Sequence, residues 1–152
     1  MLLKQLLFLS VFVTALVWPS HQEYDRAGAI DDKTCERSDS EWKSVIKSLK
    51  DKEEVEAVLG TMHKEMTDAM SGTEVWRFDI CTAANYSFSE QFDAVDISGI
   101  SDDIVEKIIF ISFSEDGSTI QRKSLYYKGI DGNIMESVYY SDGQEKEQLL
   151  EQ

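Results

Sequence analysis

The spacing of apolar residues changes once along this chain, and that change most limits the folds open to it. Trp42, Val45, Ile46 and Leu49 recur at helical spacing. From Glu74 onward, apolar and polar residues alternate, as they do on the two faces of a strand. Helical segments followed by a run of strands predict an α+β fold, with helices on one face of an antiparallel sheet.

Two short helices are predicted, over residues 40–50 and 52–59. Asp51 is placed to accept the first free backbone N–H groups of the second helix, and Glu54 three residues later completes a capping-box-like pair. Gly60 suits the left-handed conformation that commonly ends a helix. These signals fix the start and the end of the second helix.

The alternating part of the chain predicts four strands, over residues 74–81, 105–113, 119–128 and 133–140. Gly117 and Gly132 lie between neighbouring strands and supply hairpin turns, because glycine accepts a positive φ without steric cost. We therefore expect two short helices packed on one face of a four-stranded antiparallel sheet, in the order α-α-β-β-β-β, within a domain over residues 40–140.

Two segments have less regular patterns. Met62, Met66 and Met70 recur every four residues, which allows a further helical turn that fills core gaps or, as the alternative, a soft binding surface. Residues 141–152 are rich in acidic side chains, and we interpret them as a C-terminal tail. Neither segment is included in the predicted sheet.

Residues 1–20 have the pattern of a signal peptide. Lys4 precedes an apolar run over residues 6–18, which is shorter than the roughly 20 residues of a membrane-spanning helix. The alternative is a buried N-terminal helix. Cleavage is expected between residues 15 and 29, and residues 21–39 are read as a flexible lead-in. No cysteine lies near the cleavage region, so no lipid anchor is indicated.

Cys35 and Cys81 are the only cysteines of the chain. In an exported protein, an even pair predicts a disulfide, with two free thiols or an intermolecular bridge as alternatives. Alternation places Cys81 on the opposite face from Phe78 and Ile80. The bond therefore requires either that Cys81 lie beyond the regular strand or that the face assignment be shifted by one residue.

Composition excludes several classes of function. The chain has 29 acidic and 15 basic residues and a formal net charge of −14, which disfavours contact with the phosphate backbone of a nucleic acid. Two cysteines and two histidines offer few ligands for a transition metal. We therefore predict no nucleic-acid partner, no metal and no cofactor.

The sequence gives little sign of catalysis. His63 has acidic neighbours, but no serine has the G-x-S-x-G surroundings of a nucleophile elbow, so a hydrolase using His63 is the least favoured hypothesis. Asp116, Asp131 and Asp142 each precede a glycine, yet the spacing of a calcium-binding loop is absent. Hairpin turns account for all three aspartates.

Several short motifs together resemble a known family. Residues 51–60 read Asp-Lys-Glu-Glu-Val-Glu-Ala-Val-Leu-Gly, Trp76 is followed two residues later by Phe78, and residues 108–117 form an apolar strand that ends in Asp-Gly. Their order and spacing resemble the SmpA/OmlA (BamE-like) envelope domain from about residue 40 to 128. That domain shares its α-α-β layout with the β-lactamase inhibitory protein fold.

The resemblance implies a periplasmic protein without catalysis that binds other proteins, in outer-membrane assembly or as an inhibitor. The chain departs from the family pattern at four points, one of which is a fourth strand and acidic tail beyond the minimal domain. The lipid-anchoring cysteine is missing, the loop between the first two strands is long, and Thr61-Met62 replaces the proline that often follows the Leu-Gly pair. The missing cysteine argues against the family's lipid anchor, and the departures together permit another use of the scaffold.

The sheet face away from the helices is the predicted binding surface. If Ile109, Ile111 and Phe113 point to the helices, Ile108 and Phe110 point away. The full set of candidate partner-binding residues is Ile108, Phe110, Tyr126, Tyr127, Tyr139 and Tyr140. Alternatively, the connection over residues 82–102 or the tail covers this face.

The leading hypothesis is therefore an exported, non-enzymatic interaction module of the cell envelope, which binds a protein partner through its sheet face and loops. A secreted inhibitor or effector, whose acidic surface matches a basic cleft, is the alternative.

Overall fold

The computed structural model describes residues 32–87 and 94–151. The predicted signal peptide and residues 21–31 of the predicted lead-in lie outside the described residues. The elements, in chain order, are α1 Asp32–Cys35, α2 Asp39–Ser48, α3 Lys52–Leu59, β1 Lys64–Thr67, β2 Glu74–Thr82, α4 Ile97–Ser101, β3 Val105–Phe113, β4 Ile120–Lys128, β5 Ile134–Tyr140 and β6 Glu145–Glu151.

Helices α2 and α3 confirm the two predicted helices, and local hydrogen bonds fix their starts. Ser38 and Glu41 form a capping box, in which the backbone N–H of Glu41 donates to Ser38 Oγ at 3.3 Å and that of Ser38 donates to Glu41 Oε2 at 2.8 Å. Asp51 Oδ1 accepts from the backbone N–H of Glu54 at 2.9 Å. The helices therefore begin where the sequence supplies side-chain acceptors.

The prediction of a four-stranded sheet is wrong. In the described residues the strands form one six-stranded antiparallel sheet in the order β1-β2-β3-β4-β5-β6, so each strand pairs with its neighbours in sequence. The Met62–Met70 segment contains a short edge strand, β1, where the spacing allowed a helical turn. The predicted acidic tail contains the other edge strand, β6, which pairs with β5.

Helices α2 and α3 cover one face of the sheet and bury the main core there. Trp42 and Ile46 of α2 and Val55 of α3 are each 0% exposed. They belong to one cluster with the sheet residues Trp76, Phe78, Ile80, Ile109, Ile111, Phe113 and Leu125. Burial of each such side chain contributes about 1.5–3 kcal/mol to folding, so this layer fixes the position of the sheet beneath the helices.

A smaller apolar cluster lies on the opposite face. Ile100 of α4 packs with Val105 and Ile108 of β3 and Ile134 of β5, and Phe110 and Tyr126 lie at its border. This confirms the prediction that Ile108 points away from the helices. The connection between β2 and β3 therefore covers one end of this face.

The Cys35–Cys81 disulfide confirms the predicted pairing, with a Cα–Cα distance of 5.6 Å. Neither of the two predicted explanations for the bond holds. Cys81 does not lie beyond the strand, because it is within β2. The face assignment is not shifted by one residue either, because Phe78 and Ile80 face the helices as predicted. The backbone of Cys81 is instead left-handed, with φ 54°. That conformation interrupts the alternation and lets Cys81 pack against the helix-side core beside α1.

Candidate interaction surface

The structure separates the six candidate partner-binding residues into three groups. Ile108 and the half-buried Phe110 and Tyr126 lie on the face away from the helices. Tyr127 and Tyr139 belong to the helix-side core and are 3% and 7% exposed. The third group is Tyr140, which is Cα partner to Arg122 and is 39% exposed.

The assignment of Tyr127 and Tyr139 to the free face is therefore wrong. Neighbouring strand residues point to opposite faces, so Tyr126 and Tyr127 cannot share one. Leu125 lies in the helix-side core, which sends Tyr126 to the other face and Tyr127 back toward the helices. Tyr127 then donates a hydrogen bond to Glu147 at 3.2 Å.

Ile108 is also inaccessible to a partner. It is 0% exposed, and Ile100 of α4, which packs with it, is 1% exposed. The alternative that the β2–β3 connection covers the sheet therefore holds at this end. The other end of the same face carries the surface described next.

A cavity of about 290 Å³ opens on the uncovered end of the sheet. Its lining side chains come from the β1–β2 hairpin, from β2, β3 and β4, and from Val95 of the β2–β3 connection. We name as the open patch six of the residues that line it: Met66, Met70, Phe110, Ser112, Arg122 and Tyr126. The rings of Phe110 and Tyr126 meet edge to face with their centroids 5.8 Å apart, which is a favourable aromatic geometry.

A buried carboxylate on β5, beside the open patch, holds two of its side chains. Glu136 is 3% exposed and accepts hydrogen bonds from Arg122 Nη2 at 2.8 Å and from the Tyr126 hydroxyl at 2.7 Å. Gln148 of β6 also donates to it. Because its donors come from β4 and β6, this carboxylate links the two neighbours of its own strand β5.

The protonation states match this arrangement. Burial acts to raise the pKa of Glu136, but the bonds from Tyr126 and Gln148 and the charge of Arg122 outweigh it, so the pKa lies below its usual value. Burial, together with the bond to Glu136, raises the pKa of Tyr126. Glu136 is therefore ionised at neutral pH and Tyr126 keeps the proton that it donates.

The turn between β1 and β2 forms the rim of the cavity. Asp68 Oδ1 accepts from the backbone N–H groups of Met70 at 2.9 Å and Ser71 at 2.7 Å. These bonds to Ser71 and Met70 lower the pKa of Asp68. Met70 is 98% exposed at the rim and Met66 lines the cavity below it. Two of the three methionines thus lie where the alternative of a soft binding surface requires them.

Sequence reasoning missed Arg122 and Glu136. Both faces of β4 carry polar residues, with Arg122 and Ser124 on one face and Lys123 on the other. Alternation therefore gave no sign of which face was buried. The one signal that could have indicated a buried ion pair was Glu136, an acidic residue within the otherwise apolar strand predicted over residues 133–140.

His63, on which the hydrolase hypothesis is centred, has aromatic and acidic neighbours in the described residues. The His63 ring stacks on Trp76 with centroids 4.0 Å apart, and its Nε2 lies 3.3 Å from Glu65 Oε1. Among the hydrogen bonds of the described residues, none joins His63 to a serine, threonine or cysteine. The ring is placed to pack over the edge of the core.

The three aspartates that precede glycine hold hairpin turns. Asp116 Oδ1 accepts from the Ser114 hydroxyl at 2.6 Å and from the Ser118 hydroxyl at 2.7 Å, which brings the pKa of Asp116 to about 2. Asp131 and Asp142 accept from the backbone N–H two residues later. Within residues 32–87 and 94–151, no three His, Cys, Asp or Glu side chains are grouped to hold a metal ion.

No helix in the described part of the chain is long and apolar enough to cross a membrane. Comparisons with protein-family models, with curated proteins and with solved structures found no match. The geometry of the open patch is therefore the basis for a functional proposal.

Proposed function

We propose that this chain is an exported, non-enzymatic interaction module that binds a protein partner through the open patch. The observation that carries the proposal is the cavity between the Phe110–Tyr126 pair and the β1–β2 hairpin. Aromatic residues and arginine are the side chains most often found at the energetic centre of protein interfaces. Here both kinds border one recess on an otherwise acidic molecule.

The size and lining of the cavity indicate what the partner contributes. A recess of about 290 Å³ is large enough for one apolar or aromatic side chain. Val75, Phe110 and the two methionines offer apolar contact, and Arg122 and Tyr126 offer polar groups at its side. We therefore propose that a partner inserts an apolar side chain and places polar backbone groups around the rim.

The proposed export rests on two features of the chain. Residues 1–20 have the signal-peptide pattern, and the Cys35–Cys81 bond is of a kind that persists in oxidising compartments. A periplasmic site follows from the resemblance to the SmpA/OmlA domain, which stays a prediction. If the chain is an envelope interaction module, its partner is an envelope assembly component. If it is a secreted inhibitor, its partner is a soluble enzyme.

A matched pair of variants tests the proposal. Ser112→Trp fills the cavity from β3. Ser44→Trp adds the same side chain at an exposed position of α2, on the opposite side of the sheet. The tagged proteins are used to enrich partners from native envelope and secretome fractions. We expect a specific partner with the unmodified chain and with Ser44→Trp, and its loss with Ser112→Trp.

Two controls keep that result interpretable. Circular dichroism must show the same fold for all variants, and Ala69→Trp provides a second way to fill the cavity from the hairpin. Retention of the partner by both cavity-filling variants contradicts the proposal. Recovery of a soluble enzyme in a stoichiometric complex favours the inhibitor, whereas envelope proteins favour the assembly module.

A further inference from the structure

Strand β6 leaves one backbone edge of the sheet open. It pairs with β5 on one side over Glu145–Glu151. It is the last strand in the sheet order, and among the residues that the structure describes no strand pairs with its outer edge. An edge of this kind presents a row of N–H and C=O groups that another extended chain can pair with.

The hairpin between β5 and β6 shows which groups face outward. The backbone N–H of Tyr140 donates to Gln144 O at 2.9 Å, which makes these two residues a hydrogen-bonded pair. Along an antiparallel ladder such pairs alternate, so Lys146 and Gln148 direct their backbone groups to β5. The N–H and C=O groups of the intervening residues point away from the sheet: Glu145, Glu147 and Leu149.

Contacts with α2 hold this edge in place. Glu147 accepts from Lys43 Nζ at 2.9 Å, and Glu145 forms an ion pair with Lys47. The two carboxylate-bearing side chains remain 48% and 47% exposed, respectively. Glu147 also accepts from the hydroxyls of Tyr127 and Ser137. Because a carboxylate can accept about four hydrogen bonds, Glu145 and Glu147 each keep room for a donor from outside.

The far end of the strand is apolar and exposed. Leu149 is 45% exposed and Leu150 is 37% exposed, at the point where the β5–β6 register shifts by one residue. Natural proteins commonly protect an open edge with lysines, prolines or bulges. Between Glu145 and Glu151, Lys146 is the one lysine and there is no proline, and the register shift against β5 falls beyond Leu149, so residues 145–149 form a regular edge.

We propose that the outer edge of β6 binds an extended segment of a partner protein as a seventh, antiparallel strand. The segment carries lysine or arginine opposite Glu145 and Glu147 and apolar residues opposite Leu149 and Leu150. Opposite charges and apolar pairs are the favourable cross-strand combinations. The net charge of −14 adds a general attraction for a basic segment. This surface is separate from the open patch.

A second copy of the chain is a poorer fit to the edge. If two β6 strands pair antiparallel with Gln148 opposite Gln148, Glu147 lies opposite Leu149 and Glu145 lies opposite Glu151. Neither acidic residue then faces a basic one. Cross-strand like charges destabilise a sheet, which favours the basic partner over self-association.

The probe is the synthetic peptide Lys-Val-Val-Thr-Lys-Glu-Lys. It is designed to pair antiparallel with β6, so that its last residue lies opposite Glu145. Binding is followed by amide shifts and slowed hydrogen exchange of the ¹⁵N-labelled full chain. We expect both effects at Glu145, Glu147 and Leu149, at peptide concentrations up to the millimolar range. The charge-reversed peptide Glu-Val-Val-Thr-Glu-Lys-Glu should bind at least about tenfold more weakly.

Two N-methylated peptides test whether backbone pairing carries the binding. Methylation of the second valine and the middle lysine blocks N–H groups that face β6 and should abolish binding. Methylation of the threonine and the glutamate blocks groups that face solvent and should preserve it. Equal effects of the two methylation patterns, or no binding of the parent peptide, overturn the proposal.

Two further measurements distinguish strand addition by a partner from self-association and from binding at the open patch. Light scattering of the free chain reports on self-association, and a dimer whose formation protects the same three amides assigns the edge to a second copy and overturns the proposal. Ser112→Trp should leave peptide binding unchanged. Loss of partner capture at the open patch therefore has no bearing on the β6 result.

Discussion

Arg122 donates a hydrogen bond to Glu136 at 2.8 Å, joining a side chain that is 44% exposed to one that is 3% exposed. A buried anion thus holds a cation at the surface. Tyr126 is held by the same carboxylate. The polar groups of Arg122 and Tyr126 are therefore positioned before a partner arrives, which lowers the entropy that binding must remove.

Replacement of Glu136 by glutamine should lower stability and flatten its dependence on acid. In the folded chain the pKa of Glu136 lies below that of the unfolded chain, about 4.3. Its bonds therefore stabilise the fold above that pH, and this stabilisation is lost as the pH falls through the folded-state pKa. We expect Glu136→Gln to cost about 2 kcal/mol at neutral pH.

Urea denaturation of both proteins over a pH series measures this effect. The difference in unfolding free energy between wild type and Glu136→Gln should shrink as the solution is acidified. A difference that stays constant from neutral to strongly acidic pH contradicts the assignment of Glu136 as an ionised, hydrogen-bonded group.

Removal of the disulfide should destabilise the chain strongly. Cys35 and Cys81 are separated by 46 positions, for which the chain-entropy model gives about 4 kcal/mol. The double variant Cys35→Ser/Cys81→Ser should lose stability of that order in urea denaturation. As a direct check, alkylation of the unfolded, unreduced protein should add no mass; addition of two alkyl groups shows that the bond is absent.

The sequence predicted the interior of this fold better than its edges. Strands β2 to β5 and helices α2 and α3 carry regular apolar spacing, and that spacing reports burial directly. Strands β1 and β6 are rich in charged residues and lack regular apolar alternation, and each forms a strand because a neighbouring strand supplies its hydrogen bonds. Single-sequence periodicity contains no record of that tertiary contribution.

The candidate surface was only partly predictable for a related reason. Alternation correctly placed Ile108 and Phe110 on the face away from the helices. It carried no information about α4, which buries Ile108, or about the register that brings Arg122 beside Ser112. The left-handed backbone of Cys81 was also invisible, because cysteine has no particular preference for that conformation.

Asp51 should contribute to stability through a single local bond. Its side chain accepts from the backbone N–H of Glu54 at the start of α3. Asp51→Ala removes that acceptor and should cost about 1 kcal/mol, whereas Asp51→Asn keeps an acceptor and should stay within a few tenths of wild type. Thermal and urea unfolding of the two variants make the comparison; equal losses contradict the capping role.

Photo-cross-linking from the rim of the open patch tests partner binding at this surface directly. Met70, which is 98% exposed beside the cavity, is replaced by benzoylphenylalanine, and Ser44 on α2 serves as the matched control position. The native envelope and secretome are then irradiated. We predict one dominant protein adduct from position 70, absent from position 44 and abolished by Ser112→Trp in the same chain. No adduct from position 70, or identical adducts from both positions, would contradict binding through the open patch.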